Sequence, residues 1–237
     1  MKYLFLFSVL LISSCVNAPK IIADKGAVYG MISADVHPAF KKKMLDNTNS
    51  FSAYSEAGVE GGNNQDKMID YSQLNELYVG LVLPDYRPQQ HQLVAYPEKM
   101  SLRSLALSIG DELYIHNKSA TVQNFFVSEI GGEGFQSFSA LEVGQSAHFT
   151  VKLAGNLELL SEENDQLKTI LFSKKNMRTK KLSSGQTYQF ENLKPGLYRL
   201  IFWYWRLGKI EQTISIKSQE NLRIDKVLTV DSVIRAN

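Results

Sequence analysis

The sequence predicts an all-β fold built from β-sandwiches, and three observations carry that prediction. Short apolar or alternating runs recur from Leu74 onward, each ended by turn residues. No long run of helical period interrupts them. The composition is that of a globular chain, 44% hydrophobic and 21% charged over 237 residues. That length suffices for one or two domains.

The elements follow in chain order. A first strand is expected over Ala27–Ala34, where Val28, Tyr29, Met31 and Ile32 sit among Gly26 and Gly30. Residues 41–70 are polar and rich in Asn, Ser, Gly and Asp, and read as an inserted loop with a helical turn near Ala39–Leu45. A structureless run of that length is uncommon inside a compact domain. Leu77–Leu83 is a short apolar run closed by Pro84, the pattern of a buried strand. Ser104–Ile109 and Glu112–His116 flank a Gly110-Asp111 turn. Ala147–Leu153 alternates, with Phe149, Val151 and Leu153 on one face. Thr169–Phe172, Thr187–Asn192, Leu197–Trp205, Ile210–Lys217 and Val227–Val230 complete the strands. Pro195 and Gly196 read as the centre of a type II turn. Gly131-Gly132-Glu133-Gly134 and Ser183-Ser184-Gly185 read as hairpin turns rather than phosphate or catalytic loops.

The N-terminus carries an address. Lys2 precedes an apolar run from Tyr3 to Ile12, then Ser13, Ser14 and Cys15. A charged start, a short apolar core and small residues before a cut make a secretory signal. The run is well short of the roughly 20 residues that span a bilayer. Ile12-Ser13-Ser14-Cys15 resembles the bacterial lipobox. That resemblance implies lipidation of Cys15 by a diacylglycerol and an N-acyl group, in keeping with the need for more than one chain in stable anchoring. Cys15 is the only cysteine, so the folded part would hold neither disulfide nor thiolate metal site. Val16 follows it, not Asp, which points to the outer membrane. The expected organisation is a signal over 1–14, a lipidated tether over 15–25 and a folded body from 26.

Net charge is +2, falling to +1 without Lys2. No concentrated basic face of the kind nucleic acid needs is visible. The one dense basic run, Lys41-Lys42-Lys43, reads as a solvated turn, with lipid headgroup contact as its alternative.

Residues from about Tyr96 to Leu207 resemble cupredoxin-like proteins of the methylamine-utilisation type. The carrying stretches are IGDELYIHNKSATVQNFFV, AGNLELLSEENDQLKTILF and NLKPGLYRLIFWYWRL. The resemblance places the family asparagine at Asn117 and the first histidine ligand at Gln123 or Asn124. It places the cysteine ligand at Ser161, the second histidine at Asn164 and the methionine at Leu167. Type 1 copper needs two imidazoles and a thiolate, with a weak axial methionine. None of these residues supplies such a donor, so the resemblance implies a cupredoxin-like framework without its copper site, and no cofactor is expected. It also implies a small transthyretin- or carboxypeptidase-regulatory-like sandwich. That unit would be made by residues 26–84 and 175–237, with the cupredoxin-like unit, 85–174, inserted between them.

Other constellations are weak. His37, His91, His116 and His148 form no short-spaced ligand cluster. Ser161-Glu162-Glu163-Asn164-Asp165 reads as a solvated acidic turn, since its spacing fits no EF-hand. No nucleophile elbow, P-loop or dinucleotide fingerprint occurs. Trp203 and Trp205 lie in an aromatic run that reads as a core strand, or, if exposed, as a stacking platform for sugar or peptide. The expected function is therefore non-enzymatic: a lipid-anchored binding or assembly module facing the periplasm, partnered by another envelope protein. The alternatives are a metal or electron-transfer accessory using other ligands, and a carbohydrate or peptidoglycan binder.

Overall fold

The computed structural model describes residues 18–20, 22–34 and 74–229. Cys15, the signal segment, His37, the Lys41–Lys43 run and the polar loop over 41–70 lie outside the described residues. Every regular element among those described is a strand, so the all-β expectation holds.

The described strands form four sheets. Sheet I centres on β1 (Gly26–Ala34), which pairs antiparallel with β13 (Gln186–Leu193) and parallel with two short strands, β16 (Asn221–Arg223) and β17 (Lys226–Leu228). Sheet II has the order β12 (Met177–Leu182), β2 (Leu77–Val82), β14 (Gly196–Tyr204), β15 (Gly208–Ile216). Sheet III runs β5 (Ser104–Leu107), β11 (Thr169–Ser173), β10 (Gly155–Ser161), β7 (Phe125–Glu129), β8 (Phe135–Ser137). Sheet IV runs β4 (Lys99–Met100), β3 (Gln90–Tyr96), β6 (Glu112–Asn117), β9 (Ser146–Thr150). All strands of sheets I and II come from residues 26–82 and 177–228. All strands of sheets III and IV come from 90–173. The chain leaves the first pair of sheets after Val82 and returns at Met177, and these two residues are register partners in the β2–β12 ladder. The inner unit thus occupies the place of a hairpin loop, a position where insertions are tolerated.

Sheet II explains two apolar runs in the sequence. Its alternating residues serve two cores, because side chains of a strand point to opposite faces. Leu77, Val79, Leu81, Leu200 and Phe202 join Val28, Ile32, Tyr188 and Phe190 on the sheet I side. Tyr78, Ile201, Trp203 and Met177 join Leu105, Leu157, Leu171 and Phe172 on the other. Phe172 and Trp203 stack with ring centroids 5.6 Å apart. A strand buried on both faces has no reason to alternate. The exposed edge of β5 is met by side chains of the neighbouring unit. The Tyr78 hydroxyl donates to Ser104 O (2.7 Å), Thr179 Oγ1 donates to Ala106 O (3.0 Å), and the Glu76 carboxylate accepts from Ser104 N (2.9 Å). Covering an edge in this way removes a site for unwanted strand pairing.

The structure corrects several local expectations. The turn expected at Gly110-Asp111 is present, with Asp111 N donating to Ser108 O (3.1 Å), and it leads between sheets: β5 lies beside β11, and β6 lies between β3 and β9. Asp111 therefore turns the chain from one sheet to another. Ser183-Ser184-Gly185 likewise joins sheets II and I rather than closing a hairpin, whereas Gly131–Gly134 does join the antiparallel pair β7 and β8. Gly196 is nearly extended at φ 156°, and the left-handed residue before β14 is Asn192, at φ 60°, so there is no type II turn at Pro195-Gly196. The Tyr198 hydroxyl fastens that connection by donating to Lys194 O (2.7 Å). The expected tether over 16–25 is not free where it is described. Pro19 is buried, its carbonyl accepts from Asn221 Nδ2 (3.0 Å), and Lys25 O accepts from Gln219 N (2.7 Å).

Candidate functional site

Of the residues singled out by the sequence resemblance, Gln123 and Ser161 meet at one end of sheets III and IV. Asn117 closes β6 and is fully buried. Its amide donates to Thr121 O and Leu141 O, both at 2.9 Å, and its Oδ1 accepts from Ser119 N at 2.9 Å. This one side chain shapes the loop leading to Gln123. Gln123 is fully buried too. Its Nε2 donates to Thr121 Oγ1 (2.7 Å) and Ser119 Oγ (3.0 Å), and its Oε1 accepts from the Ser161 hydroxyl at 2.5 Å. Ser161 ends β10, also lies 2.9 Å from Glu163 Oε2, and has one proton to give. Its shorter contact is with Gln123.

Beyond that pair the positions part company. Asn124 donates its backbone and side-chain N–H groups to the Glu163 carboxylate. Burial pushes the Glu163 carboxyl up, but these donors and Ser161 outweigh it, and its pKa is lowered. Asn164 is half-buried and donates to Pro97 O at 2.8 Å. Leu167 is buried in the core of sheets III and IV. Copper would need a thiolate and imidazoles here. The residues present are two amides, a hydroxyl already bonded to one of them, and a hydrocarbon, so they do not fit the metal.

The histidines stand apart. His116 Nδ1 lies 2.8 Å from Ser146 Oγ, and His148 Nδ1 lies 2.9 Å from Gln90 Nε2. His91 Nε2 lies 2.9 Å from Asp111 Oδ2. Among the described residues no three His, Cys, Asp or Glu side chains gather as a metal would require.

The Asp111 cluster was missed from sequence. Asp111 is 1% exposed. Its Oδ1 accepts from the Tyr86 hydroxyl (2.5 Å) and Gln89 N (2.8 Å), and its Oδ2 accepts from Ser108 N (2.8 Å) and His91. Burial raises the carboxyl pKa, and the bonds from His91, Tyr86, Gln89 and Ser108 together reverse the sign, so it lies below the ordinary aspartate range. Ser108 Oγ in turn accepts from Met177 N at 3.3 Å. One carboxylate thereby ties the entry of the inner unit, at Tyr86 and Gln89, close to its exit at Met177. Three of the four partners lie 20 to 25 residues upstream of Asp111, beyond the reach of any local pattern.

Beside His91 a groove of about 690 Å³ separates the two units, lined by Tyr78, Thr179 and Lys181 on one side and Gln90, Gln92 and Leu105 on the other. One wall is an open strand edge. Gln89 O and Ala95 O accept from β6, so the odd-numbered residues of β3 face β6 and the even-numbered ones face away. Val94 uses its outward groups on Ser101. Gln90 and Gln92 have no described strand opposite them and turn their backbone N–H and C=O into the groove.

The stacking platform is not available at Trp203, which is 3% exposed and packed between Tyr78 and Phe172. Trp205 is half-buried, with the Arg206 guanidinium 4.5 Å from its ring centre.

No protein-family model and no curated protein matches this chain. Solved structures overlap it in part. An oxidised amicyanin variant is 14% identical, with 40% of this chain covering 98% of that one, at a TM-score of 0.31. A Cu(I) amicyanin variant is 15% identical, with coverages of 35% and 80% and a TM-score of 0.30. The copper-containing nitrite reductase of Thermus scotoductus SA-01 is 12% identical, with coverages of 35% and 21% and a TM-score of 0.30.

Proposed function

We propose that this chain is a lipid-anchored, non-enzymatic binding module of the bacterial envelope, built on a cupredoxin-like scaffold without its copper site. The ligand positions have become structural: Gln123 and Ser161 satisfy each other in the interior, and Leu167 fills core. The observation that carries a binding role is the groove beside β3. An open edge at Gln90 and Gln92, walled by Tyr78, Thr179 and Lys181, suits an extended segment of a partner protein adding as a strand. Main-chain bonds give such contacts their affinity, and side-chain pockets give them specificity.

Two experiments test the reading. Affinity purification from membranes with the wild type and with Gln92→Pro asks whether the edge is used. Proline removes the outward N–H while an edge strand tolerates it. A specific partner is expected with the wild type, with recovery reduced about tenfold by the substitution, the loss of roughly one or two hydrogen bonds. No specific partner, or equal recovery, overturns the role. Separately, Cys15→Ser is expected to release the protein from the membrane fraction or block its processing. Unchanged attachment and processing would defeat the anchor.

A further inference from the structure

The geometry of the chain's first described residues points to an orientation. We propose that the end of the outer sandwich bearing Ile22 and Leu197 rests on the bilayer surface, with the Gln123–Ser161 end pointing away. This rests on the reading of Cys15 as the lipidated residue.

The argument starts from chain length. Pro19 is buried and bonded to Asn221, and Cys15 lies four residues before it. Four residues span at most about 14 Å when fully extended. A lipid on Cys15 therefore holds Pro19 close to the headgroups, and the body cannot stand off on a loose tether. Ladder pairing shows what else lies at that end. Gly26 pairs with Leu193, Gly196 pairs with Ile216, and Lys25 O accepts from Gln219 N. The same end thus carries the 22–25 segment, the Lys194–Leu197 connection and the 217–220 turn.

Among the described residues the three most exposed large apolar side chains are Leu197 (75%), Phe135 (60%) and Ile22 (58%), and Leu197 and Ile22 lie at this end. The charges nearby are balanced: Lys20, Lys25, Lys194 and Lys217 stand against Asp24, Asp85, Glu191 and Glu220. Lys194 and Asp85 are paired at 2.9 Å. Attraction to anionic lipid is therefore small, and the apolar side chains carry the contact. Their expected depth is the headgroup boundary, about 5–10 Å in, while lysine stems reach back to water.

The far end follows from the strand directions. Met177 pairs with Val82, which pairs with Arg199, so this is the Leu197 end of sheet II. Met177 N bonds Ser108 Oγ just past β5, and Leu107 pairs with Ser173, which pairs with Gly155. Gly155 begins β10 and Ser161 ends it. Seven residues of strand, about 20 Å, thus separate Ser161 from the membrane-proximal end of its own sheet.

The test uses the full-length lipoprotein, reconstituted in phosphatidylethanolamine–phosphatidylglycerol vesicles. Acylation consumes the Cys15 thiol, so Leu197→Cys, Ile22→Cys and Glu142→Cys each provide one free thiol for a fluorophore. Glu142 is exposed beside Leu141, which pairs with Gln123. Brominated lipid is expected to quench positions 22 and 197 about fivefold more than position 142, as insertion at the headgroup boundary requires. Raising the salt should leave the ratio unchanged. Equal quenching at all three positions on floating vesicles overturns the orientation while leaving the anchor intact. A protein that does not float and keeps a reactive Cys15 thiol overturns the anchor, and the orientation with it.

Discussion

Asp111→Asn is the most informative single change, because size is conserved while the hydrogen-bond pattern is not. The carboxylate accepts four bonds, two on each oxygen. An asparagine keeps one accepting oxygen and places an NH₂ group at the other position. If the NH₂ replaces Oδ1, it faces Tyr86 and Gln89; the tyrosine hydroxyl can rotate to accept, but the Gln89 N–H cannot. If it replaces Oδ2, it faces His91 and Ser108; the imidazole can present a lone pair, but the Ser108 N–H cannot. Either way one buried backbone donor loses its acceptor, which costs about 1–3 kcal/mol, and the charge assistance of the remaining bonds is lost too. A destabilisation of about 3 kcal/mol is expected in urea, followed by the fluorescence of Trp203 at the junction of the two units. The pH dependence has a defined sign. The folded pKa of Asp111 is lowered, so its contribution is fully present above the unfolded value of about 3.9 and is lost as pH falls through the folded value. The gap between wild type and variant should be flat above about pH 5 and should narrow in more acidic solution. A loss under about 0.5 kcal/mol, the usual size for an unremarkable surface change, with unchanged amide exchange at Gln89 and Ser108, would refute the hub assignment.

Two further outcomes are expected. Ser161→Ala leaves Gln123 Oε1 buried without a donor and should cost about 1–3 kcal/mol, whereas adding Gln123→Leu should cost less than the sum of the two single changes, a coupling visible in a double-mutant cycle. Gly30→Ala should be among the most damaging substitutions, about 3 kcal/mol or more, because its Cβ would overlap the Ile224 carbonyl; a midpoint within a few degrees of wild type would count against the packing of β1.

Legibility followed burial pattern. β1, β2, β6 and β14 could be read because their apolar content is dictated by one or two buried faces. β12 could not, since it is an edge strand whose sequence, MRTKKL, carries three cations and one fully buried side chain. β3 and β7 were lost for a related reason: QHQLVAY and FFVSE offer only two buried residues each. Pairing was less legible than existence. Gly110-Asp111 has the composition of a hairpin turn, and nothing local says that the strands beside it belong to different sheets. The site divides in the same way. Gln123, Ser161, Asn164 and Leu167 were legible as residue types, none of them a thiolate or an imidazole, but their hydrogen-bond partners were not. The Asp111 cluster and the open edge of β3 depend on which distant segments meet, and composition does not encode that.

The two polar clusters also differ in what holds them. Asn117 fixes the Thr121–Gln123 segment, the Gln123 amide spans to Ser161, and Leu167 is buried in the core. Each is worth about 1–3 kcal/mol on removal, so several are needed. The Asp111 cluster does the corresponding work at the other end, where the inner unit joins the outer one. Between these two ends the edge of β3 at Gln90 and Gln92 is exposed, so its outward backbone groups are open to water or to an added strand.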